Sequence, residues 1–230
     1  MSIPEPSISY VTESAILLRF NDQGHQAAET QPDPALQIRI CQLAQALRSH
    51  PDGASLLQEV VPGPGNLLLV MRQGVVAEQV LLQAEALWLD GDQAQETSAV
   101  IEIPVSYGGK NGPDLPQLAK HTGLDIDEIV RRHSAPEYLV QCLGFMAGFA
   151  YLGGLDPSLA IPRKKTPAGS IAAGAVAIGG HYTGIYPSAT PGGWHIIGHT
   201  QSRLFDPQEN PPCLLKPGDR LRFVPVGASS

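Results

Sequence analysis

Between His133 and Asp206 glycine, proline and aromatic residues crowd together too densely for an ordinary core. The stretch reads LGFMAGFAYLGGLDP (143–157), AIPRKKTPAG (160–169), AIGGHYTGIYP (177–187) and PGGWHIIGHT (191–200). Glycine lets backbone approach a ligand closely, proline fixes turns, and Phe149, Tyr151, Tyr186 and Trp194 supply flat walls. The pattern predicts a binding cleft built by loops. Strand-like runs remain between the breaks at 138–145, 173–180, 194–200 and 220–226. Short runs punctuated in this way predict a closed or nearly closed β-barrel rather than a parallel sheet.

The first hundred residues have another rhythm. Ala15 to Phe20 is a short apolar run, and Pro34 then opens a helical pattern in which Leu36, Ile40, Leu43, Ala44 and Leu47 share a face. A helix over 35–48 follows, ended by the HPDG turn at 50–53. Leu56 to Val61 and Leu67 to Met71 read as strands divided by PGPGN, and Val75 to Leu89 returns to helical spacing. The order strand, helix, strand, strand, helix predicts a small α/β sandwich over 1–92 with an antiparallel sheet. GDQAQETS (91–98) is polar and aperiodic, which marks a linker before a second domain over 99–230. That domain opens on VIEIPVSY (100–107), a strand whose Pro104 predicts an edge or a bulge. Two short helices over 115–121 and 126–132 follow, with Asp114 and Asp125 as their expected caps.

With 230 residues, 43% of them hydrophobic, the chain can bury a core in one large domain or two small ones. A net charge of −7 with 16% charged residues excludes nucleic acid and anionic membrane surfaces as natural partners, since neither polyanion gains from an acidic protein. Small molecules or proteins are the expected partners. Cys41, Cys142 and Cys213 lie far apart without a CxxC pair, so no disulfide framework or thiolate metal site is indicated and a reducing cytoplasm is expected. Glu5 and Glu13 interrupt the pattern of a signal peptide, and the apolar run at 143–155 is too short and glycine-rich to cross a bilayer.

Among chemistry-bearing groups, Arg163, Lys164 and Lys165 form the one dense basic cluster. Set among prolines beside the expected cleft, they read either as a fork for carboxylate or phosphate or as a solvated loop. His133, after a helix and near Ser134 and Glu137, reads either as a general base or substrate contact, or as a helix C-terminal histidine favoured by the dipole. GGHYTG (179–184) has the spacing of a phosphate cradle, yet no GK[ST] follows, and a β-turn at a barrel rim is preferred. His195 and His199, four apart on a strand-like run without a carboxylate in register, do not predict a metal site. No serine stands in a GxSxG elbow and Cys142 lies among apolar residues, so covalent catalysis is not indicated.

EIPVSYGGKNGPDL (102–115), HTGLDIDEIVRRHSAPEYLV (121–140), GFAYLGGLDPSLAIPR (148–163), AIGGHYTGIYP, PGGWHIIGHT, LFDP (204–207) and LLKPGDRLRFVPV (214–226) together resemble the family of 5-oxoprolinase B subunits. That family includes a sporulation-kinase inhibitor and is related to the carboxyltransferase part of urea amidolyase, known as allophanate hydrolase subunit 1. The resemblance covers nearly all of the second domain; over the first it rests on element order and VVPGPGNLLLV (60–70). It implies an α+β chain, a ferredoxin-like N-terminal domain followed by a cyclophilin-like β-barrel. It also implies a complex, formed with a C subunit and an A subunit, that opens the lactam of 5-oxoproline to glutamate with ATP. ATP and its magnesium ion are then expected to be shared with the partner chains. Carried onto the matching positions, Arg163 and His133 take the catalytic and anion-binding roles. Phe149, Tyr151, Thr183, Gly184, Tyr186, Gly192, Gly193 and Trp194 line the ligand. This chain departs from the family pattern at Ala147, Ala168, Ala172, Ala175 and Tyr182, which stand for proline, arginine, proline, serine and glutamine. Those losses also fit a regulatory protein that docks on a histidine kinase. Prolyl isomerase activity would rest on the barrel fold alone.

Overall fold

A computed structural model describes residues 5–20, 31–90 and 99–227, and the linker expected at 91–98 lies outside them. The chain forms two compact units, Met1–Thr97 and Ser98–Ser230.

In the first unit, strands β1 (Ser7–Thr12), β2 (Ala15–Arg19), β3 (Leu57–Gly63) and β4 (Asn66–Met71) make an antiparallel sheet in the order β1-β2-β4-β3. Helices α1 (Pro34–Ser49) and α3 (Ala77–Asp90) bury Ile40, Leu43, Leu47, Val80 and Trp88 in one cluster with Ile16, Leu18, Leu67 and Leu69 of the sheet. A short helix, α2 (Gly53–Leu56), joins α1 to β3. The expected helices and the three expected strands are present. Ser7–Thr12 is an additional strand that the sequence reading does not place; its alternating Ser7, Ile8, Ser9 and Tyr10 lie on a sheet edge where Ile8, Tyr10 and Val11 stay exposed. Among the described residues no strand of this unit follows α3, and the edge place that a ferredoxin-like βαββαβ order gives to its last strand holds β1. What is present is a four-stranded antiparallel α/β sandwich.

The second unit is a closed barrel of seven strands. Its strands are β5 (Ile101–Tyr107), β6 (Tyr138–Leu143), β7 (Ala150–Gly153), β9 (Ala175–Gly179), β10 (Tyr182–Ile185), β12 (His195–His199) and β13 (Arg220–Pro225), joined in the order β10-β7-β6-β13-β5-β12-β9. All neighbours are antiparallel except β13 and β5. Two further strands, β8 (Ala168–Ile171) and β11 (Thr190–Gly192), pair only with each other. Pro104 is neither at an edge nor in a bulge. It stands opposite Val224 of β13, while β12 pairs with β5 only at Ser106 and Tyr107, so the missing N–H leaves no ladder position empty on that side.

Two helices, α4 (Leu115–Thr122) and α5 (Ile126–Ser134), add Leu115, Leu118 and Ile129 to the barrel core. Asp125 caps α5, accepting the Glu128 N–H at 2.7 Å. Asp114 does not cap α4. Its carboxylate reaches across to β12 and takes the Ile196 N–H at 2.7 Å, an outcome set by the chain that packs there and invisible to local pattern.

Candidate functional site

β9 decides where ligand chemistry can sit. Its five residues are all buried, and they alternate between two clusters. Val176 and Ile178 enter the barrel core, whereas Ala175 and Ala177 face a separate cluster with Phe149, Ile171, Tyr186 and Trp194. The aromatic residues therefore lie on the outer face of β9, β10 and β7, not in the barrel lumen. Small residues make the floor flat enough for them. A Cβ at Gly179 would stand 2.6 Å from the Trp194 indole, and one at Gly184 would stand 3.1 Å from the Phe149 ring and 3.3 Å from Trp194.

The aromatic set packs edge to face. Phe149 meets Trp194 at 5.5 Å, Tyr186 at 5.3 Å and Tyr151 at 5.1 Å between ring centroids. Phe149, Tyr186 and Trp194 are buried, so they form a second core rather than open walls. The accessible surface above them comes from half-buried Tyr151 and Tyr182 and from Phe145, which is 60% exposed in a left-handed backbone conformation (φ 66°). Gly192 lies against the Tyr186 hydroxyl, where a Cβ would meet it at 2.5 Å. Gly193 offers its carbonyl to the Lys164 N–H at 2.7 Å.

Arg163 is exposed beside this surface and has no hydrogen bond or ion pair among the described residues. Burial raises the Tyr151 and Tyr186 hydroxyls above their ordinary ionisation range. The Arg163 charge acts in the opposite direction on both, and the loop that carries it is tied at Lys164 to Gly193, next to Trp194. The rest of the basic cluster divides: Lys164 pairs with Asp114 at 2.6 Å, while Lys165 is exposed and unpaired among the described residues.

His133 is placed elsewhere. It sits in the barrel interior, fully buried and stacked on Phe223 at 4.6 Å. The Thr183 hydroxyl gives its one proton to the Ala177 carbonyl at 2.9 Å, so it accepts from His133 Nε2–H at 2.8 Å. His133 Nδ1 then accepts the Tyr107 O–H at 2.7 Å. Burial holds the imidazole at a pKa of about 3. A neutral ring with both nitrogens occupied and no access to solvent performs neither the general-base nor the substrate-contact role expected of it. Thr183, fully buried, belongs to the same chain of hydrogen bonds and not to a ligand rim, and Gly184 lies beneath Phe149 and Trp194. The glycine run at 179–184 forms the β9–β10 hairpin turn, with Gly180 at φ 64°.

A second concavity, of about 510 Å³, has no counterpart in the sequence pattern. Pro104, Ser106, Lys110, Asn111, His199 and Thr200 contribute to it from segments nearly a hundred residues apart, so no sequence window could show it. It lacks the aromatic surface and the paired loop that distinguish the Arg163 region. Among the described residues no group of three metal-ligating side chains is assembled, and no helix is long and apolar enough to cross a membrane.

The family described as carboxyltransferase domain, subdomain C and D, matches residues 6–215. The chain is 45% identical over 192 residues to a protein of Escherichia coli O157:H7 named as the B subunit of 5-oxoprolinase, covering 83% of this chain and 86% of that one. A protein of the same name from Haemophilus influenzae is 40% identical over 199 residues, covering 85% and 92%. Among solved structures, TTHA0988 is similar at 33% identity with a TM-score of 0.77, covering 94% of this chain and 40% of that one. The Kluyveromyces lactis urea amidolyase, at 20% identity and a TM-score of 0.71 over 98% of this chain and 15% of that one, shares the fold alone.

Proposed function

Since this chain belongs to the carboxyltransferase subdomain C and D family, with relatives named as B subunits of 5-oxoprolinase, we propose that it is the B subunit of an ATP-dependent 5-oxoprolinase. In that role it opens the lactam of 5-oxo-L-proline to L-glutamate together with a C subunit and an A subunit. The observation that carries this reading is Arg163: an exposed guanidinium, unpartnered among the described residues, beside a dense aromatic surface in an otherwise acidic chain. A five-membered lactam with a carboxylate has the matching chemistry, a flat ring for Tyr151 and Phe145 and an anion for a guanidinium fork.

ATP would be the co-substrate: transfer of its γ-phosphoryl group to the lactam oxygen would make the ring carbon electrophilic. Water would add there, the ring C–N bond would break, and the phosphorylated oxygen would leave as phosphate on hydrolysis, giving glutamate, ADP and phosphate. This chain's residues fit an anionic oxygen through Arg163 and Lys165. They offer no assembled carboxylate set for magnesium among the described residues, so the ion's protein ligands fall to the partner chains in this reading. Arg163 orients the substrate carboxylate, or the phosphate, and stabilises charge that develops there. The aromatic surface would cover one face of the ring and leave the other open to the hydrolytic water. Its packed base holds Tyr151, whose hydroxyl is pushed above its ordinary range by burial, as a hydrogen-bond donor toward the ligand.

The test is reconstitution with the A and C subunits, measuring glutamate and ADP formed from 5-oxoproline and ATP, with each chain omitted in turn. Activity should vanish without this chain. Arg163→Ala should raise the KM for 5-oxoproline or ATP by about 10- to 100-fold, the loss typical of a charge-assisted hydrogen bond, and leave the melting temperature of the chain unchanged. Unaltered kinetics would remove Arg163 from the site.

A further inference from the structure

The loop that carries Arg163 is gripped on both sides of that residue. Ile161 exchanges two backbone hydrogen bonds with Gly180, the Ile161 N–H donating at 3.3 Å and its carbonyl accepting at 2.7 Å. The Pro162 carbonyl accepts His195 Nε2–H at 3.0 Å. Lys164 donates its backbone N–H to Gly193 and its ammonium group to Asp114 at 2.6 Å. The residue between these grips, Arg163, has an exposed side chain with no hydrogen bond or ion pair among the described residues.

Asp114 ties together parts of this architecture that are distant in the chain. Its backbone N–H donates to the Ile196 carbonyl at 2.9 Å, and the same carboxylate oxygen takes the Ile196 N–H and the Lys164 ammonium. Ile196 lies two residues from Trp194 and three from Gly193. A single carboxylate thus joins the start of α4, the strand that follows the Trp194 turn, and the cationic loop. The pair is sheltered, with the Asp114 side chain 14% exposed and that of Lys164 22% exposed, so its geometry is better held than that of a surface ion pair. The Asp114 carboxylate, free to cap α4 by its position in the chain, leaves that helix uncapped to make these bonds.

We propose that Asp114 is a positioning residue for the anion site: through Lys164 it fixes the 161–165 loop so that Arg163 meets the ligand in one geometry beside the Trp194 turn. The inference rests on the reading of Arg163 as the anion-binding group. Asp114 touches no substrate; its effect passes through Lys164 and the loop backbone. Displacement of a binding group by a fraction of an ångström weakens recognition without removing any reacting atom, so the effect belongs in KM more than in kcat.

Four variants test it in the reconstituted complex with 5-oxoproline and ATP: Asp114→Asn, Lys164→Met, Lys164→Arg and Arg163→Ala. Asp114→Asn and Lys164→Met should each raise the KM that Arg163→Ala raises, by about 3- to 10-fold, with kcat within about 2-fold. Lys164→Arg, which keeps the ion pair, should return KM to within about 2-fold of the parent. An unchanged KM in Lys164→Met, or a Lys164→Arg no better than Lys164→Met, would overturn the positioning role while leaving Arg163 in the site. Should Asp114→Asn fail to fold, the two Lys164 variants decide the matter. If Arg163→Ala itself leaves both KM values unchanged, the site reading falls and this proposal with it.

Discussion

The two faces of β10 use polar groups in opposite ways. Inward, Thr183 joins Tyr107 and His133 in a chain where every proton has a destination, ending on the Ala177 carbonyl. Outward, Tyr182 and Gly184 border an aromatic layer beside which Arg163 stands unpartnered among the described residues. A buried polar group without a partner is costly, so the interior tolerates His133 only in a satisfied network. An exposed guanidinium loses nothing by waiting in water for a ligand. The contrast separates a histidine that specifies the fold from an arginine available for chemistry, although both lie in equally distinctive sequence.

Removing the interior chain should have the largest effect. His133→Ala would open a cavity beside Phe223 and strand the Tyr107 hydroxyl, destabilising the chain by about 3–5 kcal/mol in a denaturant titration. A loss below about 1 kcal/mol would mean the interior chain is not a structural device. Gly179→Ala comes next. Its methyl meets the Trp194 ring, and the displacement should cost about 1–3 kcal/mol and shift Trp194 fluorescence, with little effect expected if the outer aromatic layer were loosely packed.

An effect graded with pH sharpens the same contrast. The folded-state pKa of His133, about 3, lies below the ordinary value of 6.5, so the unfolded chain binds the proton first. The stability that His133 contributes is complete above pH 6.5 and declines as pH falls toward 3, by about 1.4 kcal/mol per pH unit for this one group. Melting curves of the parent and His133→Gln between pH 7 and 4 should converge as the pH drops. Parallel curves would place the proton elsewhere.

Much of the architecture is legible from pattern. The helix at Pro34–Ser49, the strands flanking PGPGN and the barrel runs at 138–145, 173–180, 194–200 and 220–226 follow from apolar spacing between strong breakers. Strands β7, β8, β10 and β11 are not, since three or four residues interrupted by glycine give no period to read. In the site, Arg163 stands out because it belongs to the one dense basic cluster of an acidic chain, and the aromatic residues because they crowd among glycines and prolines. His133 and Thr183 do not belong with them, and sequence misplaces them because a motif preserves fold contacts and ligand contacts alike.

The sequence by itself determined that this chain has an α/β first unit and a β-barrel second unit, and which motifs tie it to its family, because periodicity and turn chemistry are local properties. Only the tertiary structure decided which face each of those residues occupies. The two-residue period of a strand puts Thr183 and Tyr182 on opposite sides of one wall, and closure of the barrel alone determines which side is sealed from water. The same holds for Asp114, whose carboxylate is expected on its own helix and instead holds a lysine fifty residues away, a choice made by packing that no local window contains.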